Sequence, residues 1–159
     1  MEFQGWKMVD SRAKGARAEL KIRDDLRALT GHKWERVPAS GGLAAVHQLK
    51  GDLYIPGEVG LYCVEVKHYA DDHLTSKIIT DTKPQLDIWW EQTIRESHQI
   101  NKKPILIFKH DRGKNFCGVD DLLIAQNTLP ARYIFIGHLG IWVLKLDDFI
   151  KHCNPVFIK

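Results

Sequence analysis

The chain is poor in cysteine, with Cys63, Cys117 and Cys153 alone among 159 residues and no Cys-X-X-Cys pair. An odd number at wide spacing excludes a zinc ribbon and a disulfide framework, and it reads as a protein of a reducing compartment. The eight histidines include no HxxxH or HExxH spacing, so zinc-hydrolase chemistry lacks its ligands. No apolar run reaches the roughly 20 residues that span a bilayer. The first ten residues carry charges and lack the apolar block of a signal peptide. Internal repeats, low-complexity tracts and long linkers are also missing. These absences together predict an intracellular soluble protein with no membrane partner.

What is present is ordinary in bulk and uneven in detail. Hydrophobic residues make up 44% and charged residues 27%, the balance of a globular chain. The length suits one domain, residues 1–159, with a real core. The net charge is +3, which permits an anionic partner without requiring one. Arg12, Lys14, Arg17, Lys21, Arg23 and Arg27 crowd one early segment, and Lys102, Lys103, Lys109, Arg112 and Lys114 a later one.

Periodicity predicts a first helix over 11–30, with Ala18, Ile22, Leu26 and Leu29 as its buried stripe, Ser11 as N-cap and Gly31 as its stop. Glu19 borders that stripe, about 60° from Ile22 at ~100° per residue. Strands follow at 34–38, 52–56 and 61–67. The stretch 68–83 has no clear period beyond one possible helical turn. A second long helix is expected over 84–100, with Pro84 at its first position. Ile105-Leu106-Ile107-Phe108 reads as a central strand. Residues 110–131 are mixed, with a short helix at 120–126. A hairpin at 132–136 and 141–144 and a terminal helix at 147–152 close the chain. Trp6 lies outside any clear element and is a candidate contact to a second subunit.

Two short runs carry the chemistry. Gly51-Asp52-Leu53-Tyr54-Ile55-Pro56 holds one acid, and Cys63-Val64-Glu65-Val66-Lys67 holds an acid and a lysine two residues apart. Strand alternation sends Glu65 and Lys67 to one face and Val64 and Val66 to the other. A hairpin between the runs would set Asp52 beside Glu65. Two carboxylates and an ammonium at one point on an apolar sheet suit a divalent metal and attack on a phosphodiester. Plainer readings exist: Asp52 as a turn residue after Gly51, Glu65 and Lys67 as a surface ion pair, and Glu19 paired with Arg23 at i+4.

The acid in Gly51-Asp52-Leu53 and the Glu65-Val66-Lys67 triplet resemble the PD-(D/E)xK nuclease superfamily, although Lys50-Gly51 stands where a proline usually precedes the acid. Lys14-Gly15 and Glu19 on the first helix, then Arg36-Val37-Pro38-Ala39-Ser40-Gly41-Gly42, resemble the archaeal Holliday junction resolvases and their phage relatives. The specific similarity runs from about residue 11 to 67. From 84 to 108 it covers only the helix-then-strand pattern, and beyond 110 there is none.

The resemblance implies an α/β, restriction-endonuclease-like mixed sheet flanked by helices, with an α-β-β-β-α-β core. It implies a Mg²⁺-dependent endonuclease that resolves four-way junctions as a homodimer in a microbial or phage-infected cell. Mn²⁺ is expected to substitute. Asp52, Glu65 and the Val66 carbonyl would hold the metal, with Glu19 as an additional acid. Lys67 would act on the attacking water or the phosphate, and Ser40 would lie near the scissile phosphate. Arg12, Lys14, Arg17, Arg36, Ser40, Gly41, Gly42, His68 and Lys77 are the expected DNA contacts. Gln85 and Trp89, one helical turn apart, could touch the site or could be helix start and core. Two alternatives share the scaffold: a repair- or restriction-type nuclease acting on duplex or single-stranded DNA, and a non-catalytic DNA-binding module.

Overall fold

A computed structural model describes residues 2–38, 49–120 and 132–159, with side chains described from Arg12 onward. Helix α1 (Glu2–Thr30) is followed by β1 (Glu35–Arg36), β2 (Leu53–Tyr54) and β3 (Tyr62–Tyr69). Next come a single turn α2 (Lys77–Thr80), the long α3 (Gln85–Gln99), β4 (Lys103–His110) and β5 (Phe116–Val119). Strands β6 (Ile134–Ile136) and β7 (Ile141–Lys145) form the late hairpin, and α4 (Leu146–Asp148) runs into a π-helical turn, Phe149–Cys153. The described strands form one sheet in the order β1-β2-β3-β4-β5-β7-β6. Among the described strands only β3 and β4 pair in parallel, and the other pairs are antiparallel. This is the mixed α/β sheet expected of a restriction-endonuclease-like domain.

The parallel pair explains the placement of α3. Parallel neighbours need a crossover, and a helix laid on the sheet supplies it. Continuous apolar sequence in β4 follows, because both of its faces are covered. Ile105 and Ile107 join the core on the α1 face, with Ile22, Leu26, Val64 and Val66. Leu106 and Phe108 join the α3 face, with Leu86, Trp89 and Trp90. Each large side chain so buried contributes on the order of 1.5–3 kcal/mol. The three cysteines are buried and form no disulfide, as the spacing predicts.

Several expected boundaries move. Helix α1 begins at Glu2, so Ser11 is interior to it and no N-cap, and Trp6 is helical. Glu2, Gln4, Lys7 and Met8 are good helix formers that extend the helix without an apolar stripe. Pro84 is the extended N-cap of α3, at ψ 152°, and not its first helical residue. Strands β1 and β2 are each two residues long, shorter than expected, in a region where Pro38 and Pro56 offer no backbone N–H to a ladder. Strand β5 was hidden in the mixed stretch, and the terminal helix becomes one α-turn and one π-turn. The short helix expected at 120–126 lies almost wholly outside the described residues. Gly31, at φ +75°, does end α1, its N–H closing on the Arg27 carbonyl at 2.9 Å.

The C-terminal segment covers the start of β3. Leu61 N–H donates to the Phe157 carbonyl, and Lys159 N–H to that of Val59. The Phe157 ring lies 5.1 Å from Trp34 and 5.3 Å from Tyr62. No described helix is long and apolar enough to cross a membrane.

Candidate active site

Hairpin β2–β3 is registered Leu53↔Val64, which sets Asp52 opposite Glu65. Asp52 N–H donates to the Val64 carbonyl at 2.7 Å, and the Asp52 Oδ2 accepts the Val66 N–H at 2.7 Å. A strand residue's N–H and C=O leave on the same side, so the Val66 carbonyl also faces the Asp52 edge. Gly51 makes this approach possible. It sits at φ +79°, and a Cβ there would meet the Val64 carbonyl oxygen at 2.5 Å. Glycine at this position therefore does the work of bringing the acid against β3. Gly51→Ala is expected to cost at least about 2 kcal/mol of stability and to displace Asp52. Equilibrium denaturation of the purified variant checks it.

Glu65 is buried, at 4% exposure, on the face covered by α3. Lys67 Nζ lies 3.4 Å from Glu65 Oε1 and donates to Gln92 Oε1 at 2.9 Å. The Gln92 amide nitrogen donates to Glu65 Oε1 at 3.0 Å and to Glu96 Oε1 at 3.3 Å. Glu96 Oε2 is buried without a hydrogen-bond partner. Burial raises the Asp52 carboxyl against the lowering effect of the Val66 N–H, and Glu19 adds to the rise. Burial also raises Glu65, reinforced by Asp52 and Glu96. The site thus gathers carboxyls where water is scarce, which favours their protonated forms in the absence of a compensating charge, with Lys67 as the nearby cation.

Gln92 and Glu96 are the site residues that sequence reasoning missed. The available signal was two polar residues at i and i+4 on the border of the buried stripe of α3. Gln85 instead opens that helix, and Trp89 is core. Glu19 reaches the neighbourhood of Asp52 but is ion-paired with Arg36, Nε to Oε2 at 2.7 Å. Arg23 pairs with Asp24 and Glu35, so the i+4 alternative for Glu19 does not form. Arg36 is correspondingly engaged.

The other expected DNA contacts separate into two groups. Lys14 and Arg17 line a cavity of about 140 Å³ together with Lys21, His68 and Lys109. Asp111 holds two of these residues, Lys14 at 3.0 Å and His68 at 2.9 Å, which keeps the Asp111 carboxyl below its ordinary range. Arg12 is exposed on α1 and Lys77 exposed on α2. Ser40, Gly41 and Gly42 lie outside the described residues.

Among the described residues no three His, Cys, Asp or Glu side chains form a ready ligand cluster for a metal. Two carboxylates and a backbone carbonyl are nevertheless a donor set that suits Mg²⁺, which keeps several waters and takes one or two carboxylates. The upward shift of the Asp52 and Glu65 carboxyls, to which neighbouring acids add, and the Glu96 oxygen buried without a hydrogen-bond partner fit a site completed by a cation.

Comparison with known proteins agrees in kind. Protein D14 of Escherichia phage T5 is 49% identical over 158 residues, covering 90% of this chain and 99% of that protein. No solved structure matches. The family model described as "Phage putative PDDEXK endonuclease" matches residues 10–158, a span that takes in Asp52, Glu65, Lys67 and the strands that align them. On that match the chain belongs to this family of phage PDDEXK endonucleases.

Proposed function

We propose that this protein is a divalent-metal-dependent endodeoxyribonuclease that prefers branched DNA, four-way junctions foremost, and works as a homodimer. The observation that carries the nuclease reading is the Asp52–Glu65–Lys67 constellation, with Glu65 buried, Lys67 at 3.4 Å from it and Glu96 joined to it through Gln92. Asp52, Glu65 and the Val66 carbonyl would hold Mg²⁺, or Mn²⁺ in its place. A bound divalent ion would supply Lewis acidity at the phosphoryl group and a more acidic water.

The chain's own residues do the remainder. Lys67, held by Gln92 at 2.9 Å, presents its ammonium where charge develops on the phosphate. Gln92 spans Glu65, Glu96 and Lys67 and fixes their orientation. Glu19 and Arg36 form a pair that a DNA phosphate can reorganise, releasing the Glu19 carboxylate toward Asp52. Lys14, Arg17, Lys21 and Lys109 offer a basic surface for the phosphate backbone, so binding should weaken steeply with salt. A two-fold dimer would give two sites for symmetric cuts across a junction.

Incubation with end-labelled four-way junction, Y-form and matched linear duplex, with Mg²⁺ and with chelator, tests the proposal. The expected result is metal-dependent cleavage with the junction cut fastest. Equal cutting of junction and duplex would leave the nuclease and remove the branch preference. No cutting of any DNA would remove both.

A further inference from the structure

The alternation that sends Glu65 and Lys67 to one face of β3 continues to Tyr69, the last residue of that strand. Two residues of strand cover ~7 Å, so Tyr69 stands one step beyond Lys67 on the same face. It is 43% exposed, at the end of a strand whose other residues are largely buried. Its ring is nonetheless held. The Trp89 ring lies 5.0 Å away at a 37° tilt, and His73 stands edge-on at 5.8 Å. His73 also stands edge-on to Trp89 at 5.1 Å. Trp89 is itself buried on α3, one turn before the Gln92 that orders Glu65 and Lys67. Tyr69 is therefore fixed by the same helix that fixes the acidic site.

A ring held in place yet 43% exposed, next to a phosphate-handling site, suits a planar, apolar ligand group. Within a continuous duplex each base is already stacked on both sides, so such a ring gains nothing. At a branch point or strand end a base has a free face, and aromatic stacking then adds to binding without reading sequence. The geometry points to Tyr69 as a stacking platform for an unstacked DNA base beside the scissile phosphate. It would be a specificity residue that favours branched over continuous DNA. This rests on the nuclease reading above and deepens it.

The test places 2-aminopurine at each branch-point position of a four-way junction and at the same positions of a matched duplex, with chelator present. The parent protein is expected to quench the probe at one junction position and not in the duplex. Tyr69→Leu is expected to lose that quench and bind the junction about tenfold more weakly, with duplex affinity unchanged, while Tyr69→Phe keeps both. A Tyr69→Leu variant that quenches and binds as the parent does, or that loses both DNAs equally, overturns the assignment. Should Tyr69→Leu not fold, the parent's junction-versus-duplex contrast decides alone: no position-specific quench overturns it. Parent cleavage with Mg²⁺ separates the two levels. Cleavage without a quench removes only the role of Tyr69, whereas absence of cleavage on any DNA removes the nuclease reading itself.

Discussion

Asp52→Asn is expected to lower single-turnover cleavage by about a thousandfold or more while leaving DNA affinity in chelator unchanged or slightly tighter. The asparagine keeps an oxygen to accept the Val66 N–H now made to Asp52 Oδ2 at 2.7 Å, so the hairpin register should survive. What it removes is one anionic ligand. Affinity is set elsewhere, by many lysine and arginine contacts to phosphates, and losing a negative charge near the backbone cannot weaken them. Lys67→Ala should show the same split, because its ammonium acts on charge that develops only during reaction. Gln92→Ala should fall between, by about tenfold to a hundredfold, since it positions Lys67 and Glu65 without touching the phosphate. Paired cleavage and gel-shift assays check all three. Normal cutting by Asp52→Asn or Lys67→Ala would eliminate the site.

The second large effect concerns stability. Asp52 and Glu65 have ordinary values of 3.8 and 4.5 when the chain is unfolded, and both are raised in the folded, metal-free protein. The folded state then holds protons that the unfolded state has released. Stability contributed by these groups is complete below the unfolded values and is lost as pH climbs through the raised folded ones. The metal-free protein should therefore denature at lower urea at about pH 8 than at about pH 6. Divalent cation should reverse the trend by compensating the ionised pair, and its stabilising effect should grow with pH. Asp52→Asn should flatten the dependence and make the metal-free protein more stable at the higher pH, at the cost of activity. A urea midpoint that rises with pH in chelator would contradict the assignment of these two carboxyls.

Much of this arrangement was legible in the chain because it rests on period-2 alternation. Glu65, Val66 and Lys67 could only divide one way between the faces of β3, and the Gly51 turn sets Asp52 against them. The stripe Ala18, Ile22, Leu26 was equally plain, since one face of α1 packs on the sheet. What could not be read depended on how α3 is rotated about its own axis. Gln85, Gln92 and Glu96 are all polar helix residues, and only packing of Trp89, Trp90 and Thr93 decides which of them meets Glu65. Strand β5 escaped because Gly118 interrupts its apolar run, and its burial comes from neighbours β4 and β7 and not from its own pattern. The Glu19–Arg36 pair joins residues 17 apart in sequence, a distance over which local spacing carries no information.

Manganese titration followed by electron paramagnetic resonance of the free ion measures the central claim directly. The account predicts that the parent protein binds Mn²⁺ at submillimolar concentration, that Mg²⁺ competes for the same site, and that Asp52→Asn and Glu65→Gln each abolish the binding while remaining folded. Equal Mn²⁺ uptake by parent and both variants, or none by the parent at millimolar metal, would contradict it.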